Sequence, residues 1–136
     1  MFVFAVSLLP LATMNAADLT ITVKAVRNST GAVYLAVYDE TGFGKPELAK
    51  ARQRASAANG DITFVFHDLA AGKYAVASYH DENGNGKLDT NSLGIPTEGY
   101  GFSNNAQGNF GPPAFAQAAF DFDGKIAKSI AFSLNY

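Results

Sequence analysis

The stretch Asp61–Asp81, "DITFVFHDLAAGKYAVASYHD", decides the fold. Ile62, Phe64 and Phe66 share one parity at its start, and Tyr74, Val76 and Ser78 share one parity near its end. A period of two belongs to a strand with one face inward, because successive side chains point to opposite sides of a sheet. The join, "DLAAGKY", puts Leu69 three residues before Gly72 and Tyr74 two after it. That spacing suits a sandwich corner. The leucine plugs the core, the glycine takes a backbone angle closed to other residues, and the tyrosine begins the next strand.

The same period runs outward on both sides. "DLTITVKAV" (Asp18–Val26) sets Leu19, Ile21, Val23 and Ala25 on one face, and "AVYLAVYD" (Ala32–Asp39) sets Val33, Leu35 and Val37 against Tyr34, Ala36 and Tyr38. "NSTG" (Asn28–Gly31) between them is a turn by composition, so the two runs are expected to pair as a hairpin. Residues 40–60 break the pattern: Gly42, Gly44 and Pro46 favour an irregular loop, and the Ala- and Arg-rich part after them is expected to form a helical turn or two on the surface. "PPAFAQAAFDF" (Pro112–Phe122) reads as a short helix running into a strand, and "KSIAFSLNY" (Lys128–Tyr136) as a last strand with Ile130, Phe132 and Leu134 on one face. The expected fold is all-β, an antiparallel two-sheet β-sandwich of immunoglobulin or transthyretin type. It has about seven strands and one long loop excursion over residues 81–113.

Composition agrees with one folded domain. The chain has 136 residues, 48% hydrophobic and 16% charged, against about a quarter charged in a typical soluble domain. Net charge is −2 with no run of Lys or Arg, which leaves no electrostatic footprint for nucleic acid. The absence of cysteine excludes disulfides, thiolate nucleophiles and zinc–thiolate sites. The first 17 residues, "MFVFAVSLLPLATMNAA", are uncharged and apolar from Phe2 to Leu11, then turn small and polar. They read as a secretory signal peptide, too short for a membrane span of about 20 apolar residues. The basic start of such peptides is missing, and Met14 or Asn15 stands three before the closing alanines. The expectation is a periplasmic or secreted protein: residues 1–17 signal peptide, residues 18–136 a single β-sandwich domain, with no membrane span in the mature chain.

"HDENGNGKLD" (His80–Asp89) then raises the question of function. Calcium takes six to eight oxygen ligands, which a loop supplies when side chains at alternate positions turn inward. Asp81, Asn83, Asn85 and Asp89 stand at positions 1, 3, 5 and 9 of such a loop, and Gly86 at the sharp turn of position 6. Lys87 offers its backbone carbonyl at position 7, and Leu88 is placed to anchor the loop to the core. Position 12, where a bidentate Glu belongs, holds Ser92, so a further oxygen has to come from Glu98, Asn91 or Asp39. The competing reading is a hairpin turn, since Asn-Gly supplies the positive φ of a type I′ turn. A hairpin needs neither an Asp at both ends nor a Leu at position 8, so calcium is the favoured reading, bound structurally.

Catalytic patterns are sparse. His67 and His80 lie on different strands with no metal-ligand spacing, and no G-x-S-x-G motif exists. "GIPTEGYGFSNNAQGNFGPPAF" (Gly94–Phe115) mixes Tyr100, Phe102, Phe110 and Phe115 with Asn104, Asn105, Gln107 and Asn109. Such a loop can bind sugars or peptides, but its aromatics more often fold down and seal the core.

The block from Asp68 to Phe120, "DLAAGKYAVASYHDENGNGKLDTNSLGIPTEGYGFSNNAQGNFGPPAFAQAAF", resembles the signature of a bacterial exported family, domain of unknown function 2141. The likeness runs from Leu19 onward and implies a small sandwich behind a signal peptide, with no established activity. A looser likeness links the Leu69–Gly72–Tyr74 corner to B-type adhesin repeats and transthyretin-like modules. Some of these carry a calcium loop after that strand, which implies Asp81, Asn83, Asn85, Lys87 and Asp89 here. The sequence thus points to a small exported binding or structural module of the cell envelope, its partner unidentified. The alternative is an enzyme or ligand carrier with a pocket under the 94–115 loop, using His80, Glu98 or Tyr100.

Overall fold

A computed structural model describes residues 17–136; the signal-peptide reading falls on residues 1–17 and so lies almost wholly outside the described residues. Among the described residues eight strands form two sheets. The smaller has the order β4-β1-β8, made of β1 (Leu19–Val26), β4 (Gly60–Phe66) and β8 (Lys128–Ser133). The larger runs β3-β2-β5-β6, from β2 (Ala32–Tyr38), β3 (Ala51–Ser56), β5 (Gly72–Asp81) and β6 (Tyr100–Phe102). β7 (Phe120–Phe122) also pairs with β5.

The core lies between the sheets and is built by the period-two positions. Leu19, Ile21 and Val23 of β1, Ile62, Phe64 and Phe66 of β4 and Phe132 of β8 face Val33, Leu35 and Val37 of β2 and Tyr74 and Val76 of β5. Each such aliphatic or aromatic side chain contributes about 1.5–3 kcal/mol on burial, which is why alternation, once present on five strands, forces two sheets face to face.

Pairing departs from expectation in three places. β1 and β2 do not form a hairpin: β1 pairs with β4 and, in parallel, with β8, while β2 pairs with β3 and β5. Asn28–Gly31 therefore crosses from one sheet to the other, and turn composition alone does not distinguish a hairpin from such a corner. Near the end of β1 the register against β4 slips by one residue, with Ala25 at φ 63 and exposed while Val26 takes the buried position. This is a β-bulge, which strengthens the local twist.

The Ala- and Arg-rich segment is not helical beyond one 3-10 turn at Pro46–Leu48; Ala51–Ser56 is the edge strand β3. Alanine favours helices, but no apolar stripe was available to bury a helix, whereas β2 offered an unpaired edge. Arg52 and Arg54 on that strand guard the exposed edge against further pairing.

The corner before β5 forms with one correction. Leu69 packs on the core, and the Tyr74 hydroxyl donates to the Ala70 carbonyl at 2.6 Å, the bond of a tyrosine corner. Gly72 does not take a left-handed angle; Asp68 does, with φ 59. A Cβ on Gly72 would only touch the Tyr74 ring at 3.4 Å. The tyrosine's bond, and not the glycine, fixes this turn.

β6 and β7 follow one another along the same edge of β5, β6 beside Ala77–Tyr79 and β7 beside Gly72–Tyr74. The chain leaves that edge at Ser103 and returns through the short helix α1 (Phe115–Ala118). Ser103 is fully buried; its Oγ accepts from the Val76 amide at 2.9 Å and donates to the Ala118 carbonyl at 2.5 Å. One side chain thus replaces the ladder bonds that the interruption removes. Among the described residues no helix is long and apolar enough to cross a membrane.

Candidate metal loop and the adjoining groove

β5 is the central strand of its sheet, and its last residue, Asp81, is 1% exposed. Burial of a carboxylate requires donors, and Asp81 has two: Oδ1 accepts from the Asn85 amide at 3.2 Å and Oδ2 from Gly86 at 2.7 Å. Position 1 of the loop thereby closes on positions 5 and 6. Gly84 and Gly86 carry positive φ (74 and 78), and neither Asn83 nor Asn85 does. A two-residue type I′ turn needs both central residues there, so the tight Asn-Gly hairpin does not form. The chain returns to β5 only at Gly99, whose carbonyl accepts from the His80 amide at 2.8 Å, and Tyr100, which pairs with Tyr79.

Inside the loop the side chains of Asn83 and Asn85 both meet Asp89. Asn85 Nδ2 lies 2.6 Å from Asp89 Oδ1, and Asn83 Nδ2 donates to Asp89 Oδ2. These two amides hold the Asp89 carboxyl below the usual carboxylate range. Asn83 and Asn85 turn their side-chain oxygens to the backbone N–H groups of Asn85 and Lys87, at 3.2 and 3.1 Å. Glu98, 6% exposed, arrives from beyond the loop and braces both its ends. Oε2 accepts from the Glu82 amide at 2.6 Å and Oε1 from Asp89 at 3.0 Å. Of the other oxygen donors considered, Asn91 is used in its own turn, accepting from Leu93 and Ile95, and Asp39 accepts from Gly42 in a different loop. Among the described residues no three carboxylate, histidine or cysteine side chains group as a metal centre. Hydrogen bonds thus join the Asp81 carboxylate to the backbone of Asn85 and Gly86 and the Asn83 and Asn85 side chains to Asp89, with Glu98 bracing both ends.

Leu88 is half-buried but does not enter the core. With Gly86 and Lys87 it forms a wall of a groove on the outer face of the larger sheet. The Tyr79 hydroxyl donates to the Gly86 carbonyl at 3.0 Å and ties this wall down. Burial, then the neighbouring Tyr34, Asp81 and Glu98, push the Tyr79 phenol up and keep it a donor.

The residues of the pocket alternative are engaged elsewhere than at the groove. His80 is fully buried between Tyr136 and Thr30, Glu98 is committed to the loop, and Tyr100 packs edge-on to Phe102; none of the three lines the groove. His67 is exposed and bonded to Asp18 at the smaller sheet, away from His80. Asn104 and Asn105 serve the backbone: Asn104 donates to the Gln117 and Ala119 carbonyls, and Asn105 accepts from Ser133. Of the aromatics, Phe102 and Phe115 pack on Phe43, whereas Phe110 is fully exposed. Sequence reading missed Ser103 and Phe43, since a lone serine and a lone phenylalanine in loops carry no periodic signal.

A family model described as "uncharacterized protein conserved in bacteria" (DUF2141) matches residues 21–130. Neither the curated proteins nor the solved structures compared with the chain gave a match.

Proposed function

The chain belongs to that uncharacterized bacterial family, and since membership brings no activity with it, we propose a function from the loop. The protein is an exported binding module of the cell envelope whose Asp81–Asp89 loop takes one calcium ion as a structural clip. One observation carries this reading: the amides of Asn83 and Asn85 both meet the carboxylate of Asp89, in a loop that Asp81 closes from its first position. Oxygen and nitrogen of an amide exchange by a half-turn about the last side-chain bond. With that turn, which gives up the bonds from the Asn85 and Lys87 backbone N–H groups, the two amides present oxygens beside the Asp89 carboxylate.

Five oxygen-bearing groups and two formal charges suit calcium, which accepts irregular shells of six to eight oxygens, water included. Magnesium demands near-octahedral geometry and gives up water reluctantly. Only two charges imply affinity in the micromolar to millimolar range typical of extracellular modules. Glu98 keeps the two ends of the loop at a fixed distance and has lone pairs left for the ion. The uncharged apolar start of the chain supports export.

The test is calorimetric titration of the chelator-treated protein with calcium chloride, beside Asp89→Ala. Saturable one-to-one binding, lost in the variant and raising the melting temperature of the parent, is the expected result. No heat up to several millimolar calcium, in roughly the weakest range known for such modules, overturns the reading.

A further inference from the structure

The outer face of the larger sheet holds a groove of about 880 Å³, within the size range of small-molecule sites. Its floor comes from two cross-strand pairs. Tyr34 faces Tyr79, their rings stacked with centroids 5.0 Å apart and planes 4° apart, and Ala36 faces Ala77 beside them. The alanines make the depression; larger residues there would fill it. One wall is an aromatic cluster in which Phe43 stands edge-on to Tyr38, Phe102 and Phe115, with centroids 6.0, 6.1 and 5.9 Å away. The opposite wall is Gly86–Leu88, held by the Tyr79 hydroxyl.

The rim is cationic. Arg52 and Arg54 of the edge strand and Lys87 of the loop line it, against the single carboxylate of Glu40. Neither guanidinium has a carboxylate partner among the described residues. Arg52 donates to the Pro46 carbonyl at 2.9 Å, and Arg54 to the Tyr34 hydroxyl at 3.4 Å. Both are thereby poised over the groove with donors to spare, and arginine pairs with carboxylates through two parallel bonds.

We propose that this groove binds a small amphipathic carboxylate, its apolar body on the Tyr34/Tyr79 floor and its carboxylate on Arg52 and Arg54. The apolar lining requires an apolar body, and the excess of positive charge at the rim selects an anionic head over a cationic one. The aromatic wall and the loop wall give the body two sides to contact, so burial of its surface supplies affinity while the arginines supply orientation. This rests on the reading of the protein as a binding module, but not on calcium.

The experiment uses sodium dodecanoate below its micelle concentration, with dodecyltrimethylammonium as the cationic counterpart. Both are titrated into the full protein in chelator, which also keeps dodecanoate from precipitating as its calcium soap. Arg52→Gln/Arg54→Gln removes charge on an exposed edge strand; Ala36→Phe fills the floor from the solvent side. Expected are saturable one-to-one dodecanoate binding and shifts of the Ala36 and Ala77 methyl resonances. The arginine variant should lose roughly tenfold in affinity, and Ala36→Phe should abolish binding. Absence of dodecanoate binding, equal binding of the cationic amphipath, or binding untouched by both variants overturns the proposal. Because calcium heats are read separately, failure of the groove and failure of the metal loop are distinguished.

Discussion

The hydroxyl of Tyr136 lies 2.6 Å from Nδ1 of His80, a ring with no exposure to solvent. Nε2 of the same ring is 2.6 Å from the Thr30 carbonyl. A carbonyl only accepts, so Nε2 carries the hydrogen, and in the neutral ring Nδ1 accepts from the tyrosine. Tyr136 also accepts from the Arg27 amide at 3.1 Å and lies under the Arg27 guanidinium at 4.4 Å. It is the clasp between the end of β5 and the segment that follows β1.

Tyr136→Phe keeps the ring under Arg27 but leaves Nδ1 of His80 buried without a donor. A loss of about 1–3 kcal/mol is expected, the cost of one unsatisfied buried polar group, measured by urea denaturation. A change within experimental error would mean that water replaces the hydroxyl. Gly99→Ala tests the same clasp sterically. Its new Cβ would sit 2.5 Å from the Tyr136 ring, so the ring must leave and the double variant should lose little more than the single.

Ser103→Ala should cost about 1–3 kcal/mol, because the Val76 amide and the Ala118 carbonyl lose their shared partner in a dry site. Hydrogen exchange gives the sharper readout. The Val76 amide should lose protection by more than its neighbours in β5, since the rest of that strand keeps its ladder partners. Uniform loss along β5 would show instead that the serine acts only through global stability.

Acid should unfold the protein through its loop carboxylates. Asp39 is held below the usual range first by the Gly42 amide, Asp89 by the Asn85 and Asn83 amides, and Asp123 by the Ile126 and Lys125 amides. At Glu82 burial opposes, yet the bonds from Asn28 and Arg27 prevail and lower it. A folded-state value below the unfolded one adds stability that is fully present above the unfolded value and lost as pH falls through the folded one. The melting temperature should therefore stay level from neutral pH to about 5 and drop below about 4, under the ordinary carboxylate values. A decline that begins near pH 6 would count against the carboxylates as the cause.

How much of this was legible follows from what leaves a local trace. Alternation marks a strand wherever one face is buried, and β1, β2, β4, β5 and β8 were read on that basis. β3 was not, since its alanines resemble helix and its arginines face outward. β6, at three residues, is too short for a period and exists only because β5 offers an edge, whereas β7 was read as the strand into which a short helix runs. The alternation of oxygen-bearing side chains over nine consecutive positions is a local pattern, whereas the amide bonds of Asn83 and Asn85 to Asp89 appear only in the folded loop. Glu98 was reached only as one of three candidates for a missing oxygen.

By itself the sequence determined the inward face of most strands and the position of the corner at Leu69–Tyr74, but not the hydroxyl bond that fixes it. Each depends on spacing within a few residues, where backbone geometry leaves one arrangement. Tertiary structure decided which strands are neighbours, that β1 and β8 run parallel, and that Phe43, Phe102 and Phe115 meet above two alanines to form a groove. Those outcomes depend on burial and hydrogen-bond partners supplied by segments far apart in the chain. Local pattern is blind to them: the same alternation fits either neighbour, and only the packed sheets choose.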